Sequence, residues 1–310
     1  MTAVVTGGLG FIGSHLVDRC LAEGMDVLVI DDCRSTKQRA SELWPGRRGV
    51  QFMLADCRNV VLPLKASVIF HLASPVGPVG VLNVAGRITS EIVETSRAAA
   101  RWALRDQVPM IDVSTSEIYG GGDQGLCAET MLRVVEPGAW PRLEYQTAKL
   151  AAEVMLLNTT HLDVRIIRPF NVAGPRQSPA GGFVLPRMVQ QALTGKPLTV
   201  YVPGTQRRAL THVADIVDGI WRAWRNGAPK RDYNLGNPGN TCSIMTLAHE
   251  VADYCGGADV KLVDPVSLHG SRFREAAEKF PDATRAMREL GWHPTRTRRD
   301  IIADTVEWAR

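Results

Sequence analysis

A short apolar stretch, residues 2–6, runs directly into Gly7-Gly8-Leu9-Gly10-Phe11-Ile12-Gly13, and this turn restricts the fold more than any other feature of the chain. Gly7, Gly10 and Gly13 are spaced three apart. Glycine at such positions lets the turn tighten, lets another backbone come close, and lets the following helix pack against its strand. Residues 12–23 place Ile12, Leu16, Val17 and Leu21 along one face, which predicts a helix. Met25–Ile30 is a second apolar stretch, and it ends in Asp31-Asp32. Strand, glycine turn, helix and strand make one crossover unit of a parallel sheet.

The pattern continues. Val50–Leu54, Val68–Leu72, Met110–Val113 and Val164–Ile167 read as further short buried strands, and residues 84–105 and 145–158 read as helices between them. Alternation of this kind predicts an α/β fold, a Rossmann-type doubly wound parallel sheet covered on both faces. After Pro169 the pattern changes. Proline and glycine punctuate 169–182, helices are expected at Leu185–Leu193 and 245–255, and Tyr233–Leu235 reads as a late strand. We expect residues 1–170 to hold the dinucleotide and 171–310 to form a smaller substrate-binding region, with the late strand able to return to the first sheet.

Composition narrows the function. A net charge of +4 on 310 residues, with Lys and Arg scattered, argues against nucleic-acid binding. No apolar run reaches 18 residues and no leader pattern opens the chain, so neither a membrane span nor a signal peptide is expected. Cys20, Cys33, Cys57, Cys127, Cys242 and Cys255 are far apart and form no zinc or disulfide pattern. A cytoplasmic protein with reduced thiols and no bound metal is the expectation.

The glycine turn opens a helix, and a helix N-terminus favours a diphosphate, here through backbone amides around Gly10, Phe11, Ile12 and Gly13. Asp31 stands at the end of the second strand, where a carboxylate accepts hydrogen bonds from ribose hydroxyls and repels a 2′-phosphate. This favours NAD over NADP, although Arg34 is close enough to keep NADP as an alternative. Asp56 follows the third strand and either contacts the adenine or forms a plain turn. His71 sits inside an apolar stretch and reads as structural.

Tyr145 and Lys149 lie four residues apart on one predicted helix face. A free phenol has a pKa of about 10 and is a poor base. A neighbouring ammonium favours its ionised form. Such a tyrosine takes a proton from an alcohol while a nicotinamide takes the hydride. Ser114-Thr115-Ser116-Glu117 falls between this pair and the glycine turn.

The glycine turn, His71-Leu72-Ala73-Ser74, Ser114-Thr115-Ser116-Glu117-Ile118-Tyr119-Gly120, Tyr145-x-x-x-Lys149 and the run Arg168 to Arg176 occur in an order that resembles the extended short-chain dehydrogenase/reductases acting on nucleotide sugars, the NAD-dependent epimerase/dehydratase family. Pro141-Arg142, Lys196 to Tyr201 and Gly204 to Arg208 make the likeness greatest to UDP-glucuronate decarboxylases. The chain departs from them at Gly121-Gly122, at Val202-Pro203 and across 266–280.

The resemblance implies that Tyr145, with Lys149 and a hydrogen bond from Thr115, deprotonates the sugar 4-hydroxyl. It gives decarboxylation and reprotonation to Glu117 and carboxylate recognition to Arg208, with Arg207 competing. Ala73 is placed at the cofactor, and Ser74, Arg142, Asn171 and Arg176 at a nucleotide-sugar substrate, expected to be UDP-linked. Ser116 is either a helper or a plain strand-end serine. A 4,6-dehydratase, which usually carries aspartate where Ser116 stands, a 4-epimerase, and an NAD or nucleotide-sugar sensor are the alternatives. A homodimer through helices 84–105 and 145–158 is implied as well.

Overall fold

The computed structural model describes residues 1–36, 38–120, 125–133, 135, 138, 140–271, 273, 275 and 278–310. Gly121 and Gly122, noted above as a departure, lie outside them.

Seven strands form the main sheet: β1 (Thr2–Thr6), β2 (Asp26–Asp31), β3 (Val50–Leu54), β4 (Val68–His71), β5 (Met110–Val113), β6 (Val164–Pro169) and β7 (Arg231–Leu235). Their order is β7-β6-β5-β4-β1-β2-β3, and every pairing is parallel. The late strand therefore does return to the sheet, as its edge beside β6. The order reverses between β1 and β4, which opens a crevice at the carboxyl ends of those strands.

Each sheet face carries its own apolar layer, because successive side chains of a strand point to opposite sides. Ala3, Val5, Val29, Phe70, Ile111 and Tyr233 face α1 (Phe11–Ala22), α5 (Val213–Asn226) and the short α7 (Thr284–Leu290). Val4, Leu28, Ile69, Met110 and Ile166 face α2 (Ile88–Asp106) and α3 (Pro141–Asn158). A separate apolar cluster joins α4 (Val184–Leu193), α6 (Ile244–Tyr254) and α8 (Arg298–Ala309) with the strand Leu198–Tyr201.

Two helix starts differ from the sequence reading. The helix expected from residue 84 begins at Ile88, because Gly86 adopts φ +85° and breaks the chain after the short helix Pro78–Asn83. The helix expected from Tyr145 begins at Pro141, whose fixed φ suits a first helical position. Tyr145 thus sits one turn inside α3 rather than at its frayed end.

Candidate active site

At the crevice, Gly7 adopts φ +68°, and a Cβ there would lie 2.8 Å from the Ala73 nitrogen. A Cβ on Gly13 would meet the Gly7 carbonyl oxygen at 2.1 Å. These close approaches are why glycine stands at both positions. The Gly10 amide donates to the Gly7 carbonyl at 3.0 Å, and the first helical bond runs from Ser14 to Gly10 at 2.9 Å. The amides of Phe11, Ile12 and Gly13 thus precede the helical ladder and point toward the helix entrance, a ready site for a diphosphate. Asp31 accepts hydrogen bonds from the Leu9 amide at 3.0 Å and the Cys33 amide at 2.8 Å. Burial raises its pKa while these two bonds pull it back. The turn and the acid that would hold a dinucleotide are therefore built as one unit.

Arg34, the feature that kept NADP open, is paired with Asp32 at 2.7 Å and Glu91 at 3.2 Å. Its charge is already met. Asp56 caps the turn Cys57–Asn59 and pairs with Arg58 at 2.6 Å. Its carboxylate is committed to that turn. His71 is 1% exposed and shares a 2.8 Å hydrogen bond with the Thr6 hydroxyl, the structural role expected.

The reacting end forms where β5 gives way to α3. Thr115 caps a 3-10 turn over Ser116–Tyr119, accepting from the Glu117 amide at 3.2 Å, and its hydroxyl hydrogen-bonds the Tyr145 phenol. Tyr145 is buried, and burial pushes the phenol above its usual range. The Thr115 bond and the charge of Arg142 pull it down, while Glu117 and Asp112 push it up. The ammonium of Lys149 donates to the Val113 carbonyl at 2.9 Å. Helical spacing puts both residues on one face of α3, and the end of β5 offers the lysine a carbonyl in the dry interior.

Glu117, 19% exposed at its side chain, is the centre of a partly buried ion cluster. Its Oε2 accepts from Arg142 Nε at 2.8 Å, and its Oε1 lies 3.0 Å from Lys279 Nζ. Burial alone would raise this carboxyl, yet the two cations hold it well below the ordinary carboxylate range. Arg208 is 7% exposed, acts electrostatically on Lys279, and pairs with Glu275 at 2.7 Å. Arg207 turns outward to Glu278 at 2.9 Å. The structure therefore brings together Thr115, Glu117, Arg142, Tyr145 and Arg208, and sends Arg207 to the surface.

Other expected residues lie around this group. The Ser74 hydroxyl donates to its neighbour's carbonyl, that of Pro75, at 3.0 Å. Ser116 is buried within the 3-10 turn. Asn171 and Arg176 both occupy positive φ, +39° and +67°, backbone states that non-glycine residues rarely adopt and that cluster at functional loops. The Asn171 amide donates to the Ala209 carbonyl at 3.4 Å, and Arg176 pairs with Asp18 of α1 at 2.6 Å.

The sequence reading missed Lys279. It belongs to the stretch 266–280, noted above as a departure from the decarboxylases the chain resembles. A two-residue strand, Phe280–Pro281, pairs with Leu126–Cys127 and delivers the lysine to Glu117. The signal in the sequence was a cation directly before Phe280-Pro281, and nothing local says which carboxylate it meets.

Comparison with known proteins gives the family. The chain matches the description "NAD dependent epimerase/dehydratase family" over residues 3–236. It is 32% identical to UDP-glucuronic acid decarboxylase 1 of Xenopus tropicalis, over 99% of this chain and 72% of that protein. It is 33% identical to UDP-glucuronic acid decarboxylase 4 of Arabidopsis thaliana, over 95% of this chain and 65% of that protein. Among solved structures it superimposes on a dTDP-glucose 4,6-dehydratase of Streptomyces venezuelae with NAD bound, at a TM-score of 0.85 and 26% identity, covering 100% of this chain and 97% of that one. With the glycine turn, the switch-point crevice and the Tyr145 site in place, this chain belongs to the NAD-dependent epimerase/dehydratase family.

Proposed function

We propose that this protein is a UDP-glucuronate decarboxylase that uses NAD and returns it unchanged after each turnover. The observation that carries the reading is the cluster of Arg142 and Lys279 on Glu117, with Arg208 next to Lys279, beside the Tyr145 phenol. Arg142, Lys279 and Arg208 set cations among the carboxylates Glu117 and Glu275, a setting suited to exchange with the carboxylate of a uronic acid. Arginine suits this task because its fork donates two parallel hydrogen bonds. The curated relatives are named for the same reaction.

Residues 1–170 would hold NAD at the turn of Gly7, Gly10, Phe11, Ile12 and Gly13, with the amides of Phe11, Ile12 and Gly13 toward the diphosphate, through Asp31, and along the backbone at Ala73. When bound, NAD supplies the hydride acceptor and donor at C4 of the sugar. Tyr145 takes the proton of the 4-hydroxyl, helped by the Thr115 hydroxyl, and Lys149 keeps positive charge on the same helix face. The order of steps follows from chemistry. An unoxidised uronic acid has no electron sink, whereas a C4 ketone makes it a β-keto acid that releases CO2 and leaves an enolate. Glu117, held ionised by its two cations, orients the groups that return a proton to C5. Arg208 and Arg142 hold the sugar acid, Ser74 lines the approach from residues 1–170, and Asn171 and Arg176 line it from residues 171–310.

Incubation with UDP-glucuronate and catalytic NAD tests the reading. A UDP-pentose with release of CO2 supports it, and unchanged UDP-glucuronate refutes it. Tyr145→Phe should bind NAD normally and lose turnover. Loss of water from a hexose substrate would instead support a 4,6-dehydratase, the reaction of the solved relative. Changed stereochemistry at constant mass would support a 4-epimerase. Binding without reaction across UDP-, GDP- and TDP-sugars would support a sensor.

Among the described residues no helix is long and apolar enough to cross a membrane, and all six cysteines are free thiols. A cytoplasmic homodimer fits these properties. α2 and α3 pack on each other through Ile88, Ile92, Tyr145, Ala148 and Ala152, and their outer faces are the pairing surface we favour. Sedimentation at micromolar concentration tests the dimer.

A further inference from the structure

β5 carries an acid in its interior. Asp112 is 1% exposed, although its strand neighbours Met110, Ile111 and Val113 are all apolar. Its register partners are His71 on β4 and Ile166 on β6. Parallel partners share a sheet face, which is here the face covered by α2 and α3. From α3, Lys149 and Glu153 act on Asp112, and Asp112 acts in turn on the Tyr145 phenol. The Asp112 Oδ1 and the Ser114 Oγ, just past the end of the strand, have no hydrogen-bond partner among the described residues.

The other charged groups here are committed. Glu153 receives three hydrogen bonds from Arg168, at 3.1, 3.2 and 2.6 Å, and Arg168 also pairs with Asp232 at 2.7 Å. Burial pushes the His71 imidazole down to about 3, so it is neutral, and its Nδ1 is bonded to Thr6. Asp112 is thus the carboxylate facing Lys149 that no other cation holds, among the described residues. A buried carboxylate is costly, and a position with no task there would be apolar like its neighbours.

We propose that Asp112 is a positioning residue for the Tyr145–Lys149 pair, keeping the Lys149 ammonium charged in the dry interior and so setting the pH window in which the phenol works as a base. The inference rests on Tyr145 being that base. A negative charge raises the proton affinity of both partners. It opposes the burial that drives Lys149 toward its neutral form, and it also raises the phenol. Turnover requires a charged ammonium and a phenol able to release its proton, so the rate is bell-shaped in pH, with one edge from each group. Removing the charge of Asp112 moves both edges to lower pH together. Burial raises the Asp112 carboxyl itself to about 6. Below that pH the native protein also loses the charge, and the two profiles converge.

The test is Asp112→Asn, assayed as kcat against pH on UDP-glucuronate with NAD. Both limbs should shift toward acid by about half a unit or more, with KM changed by less than about threefold. A purely structural aspartate would lower stability and leave both limbs in place, and that outcome overturns the proposal. A second measurement is independent of turnover. Carbon-13 NMR of the full chain with labelled aspartate carboxyls should show one buried group titrating near about pH 6, absent in Asp112→Asn and moved to higher pH in Lys149→Met. A resonance indifferent to Lys149→Met overturns the proposal even if Asp112→Asn does not fold. Failure of the native protein to turn over UDP-glucuronate would defeat the proposed reaction while leaving the NMR titration decisive for the Asp112–Lys149 pair.

Discussion

Replacing Glu117 by Gln tests the ion cluster at its centre. The side chain keeps its shape and loses its charge, which leaves Arg142 and Lys279 without the carboxylate they share. Removing one partner of a buried ion pair costs roughly 3–5 kcal/mol. Lys279 is 6% exposed at its side chain and carries nearly the full penalty, whereas Arg142 is 29% exposed and water screens part of its share. The expected loss at neutral pH is therefore about 3 kcal/mol, the low end of that range.

The pH dependence carries a sign on each side. The folded state depresses the Glu117 pKa, so its contribution is complete above the unfolded value of 4.5 and drains away as pH falls below it. Native protein and variant should converge in acid. Burial lowers the Lys279 pKa, and without Glu117 it falls further. The variant then sheds that proton as pH rises toward the ordinary lysine range and regains stability. The gap should be widest near neutrality and narrow on both sides. Urea midpoints taken from acid to alkaline pH read it directly. A pH-independent gap, or equal midpoints at pH 7, would refute the shared-carboxylate account. Turnover of UDP-glucuronate should fall at least about 100-fold in the same variant.

Three further outcomes follow from contacts already described. Gly13→Ala places a Cβ 2.1 Å from the Gly7 carbonyl oxygen, and should cost about 3 kcal/mol or more and abolish NAD binding measured by calorimetry. Gly80→Ala, in a helix where a Cβ meets nothing within 4 Å, should instead stabilise by about 0.5 kcal/mol with activity unchanged. Arg208→Gln should raise KM for UDP-glucuronate about tenfold or more, whereas Arg207→Gln, on the exposed neighbour, should stay within about twofold; the reverse ranking in steady-state kinetics would assign carboxylate recognition to Arg207.

The sequence by itself determined the sheet and its cofactor turn, because those signals are local. Apolar strands of fixed length, glycines that admit no Cβ, and an acid at a strand end each act through immediate neighbours, so Gly7, Gly13 and Asp31 stand where the pattern placed them. The Tyr145–Lys149 spacing was equally legible, since a helix fixes which residues share a face. What those side chains touch was decided by tertiary structure alone. Lys149 donates to the end of β5, and Arg208 turns inward while Arg207 does not. Lys279 reaches Glu117 across more than half the chain. Ion pairs between distant segments leave no periodicity behind, because the energy that selects them exists only once the fold has removed water from around the charges.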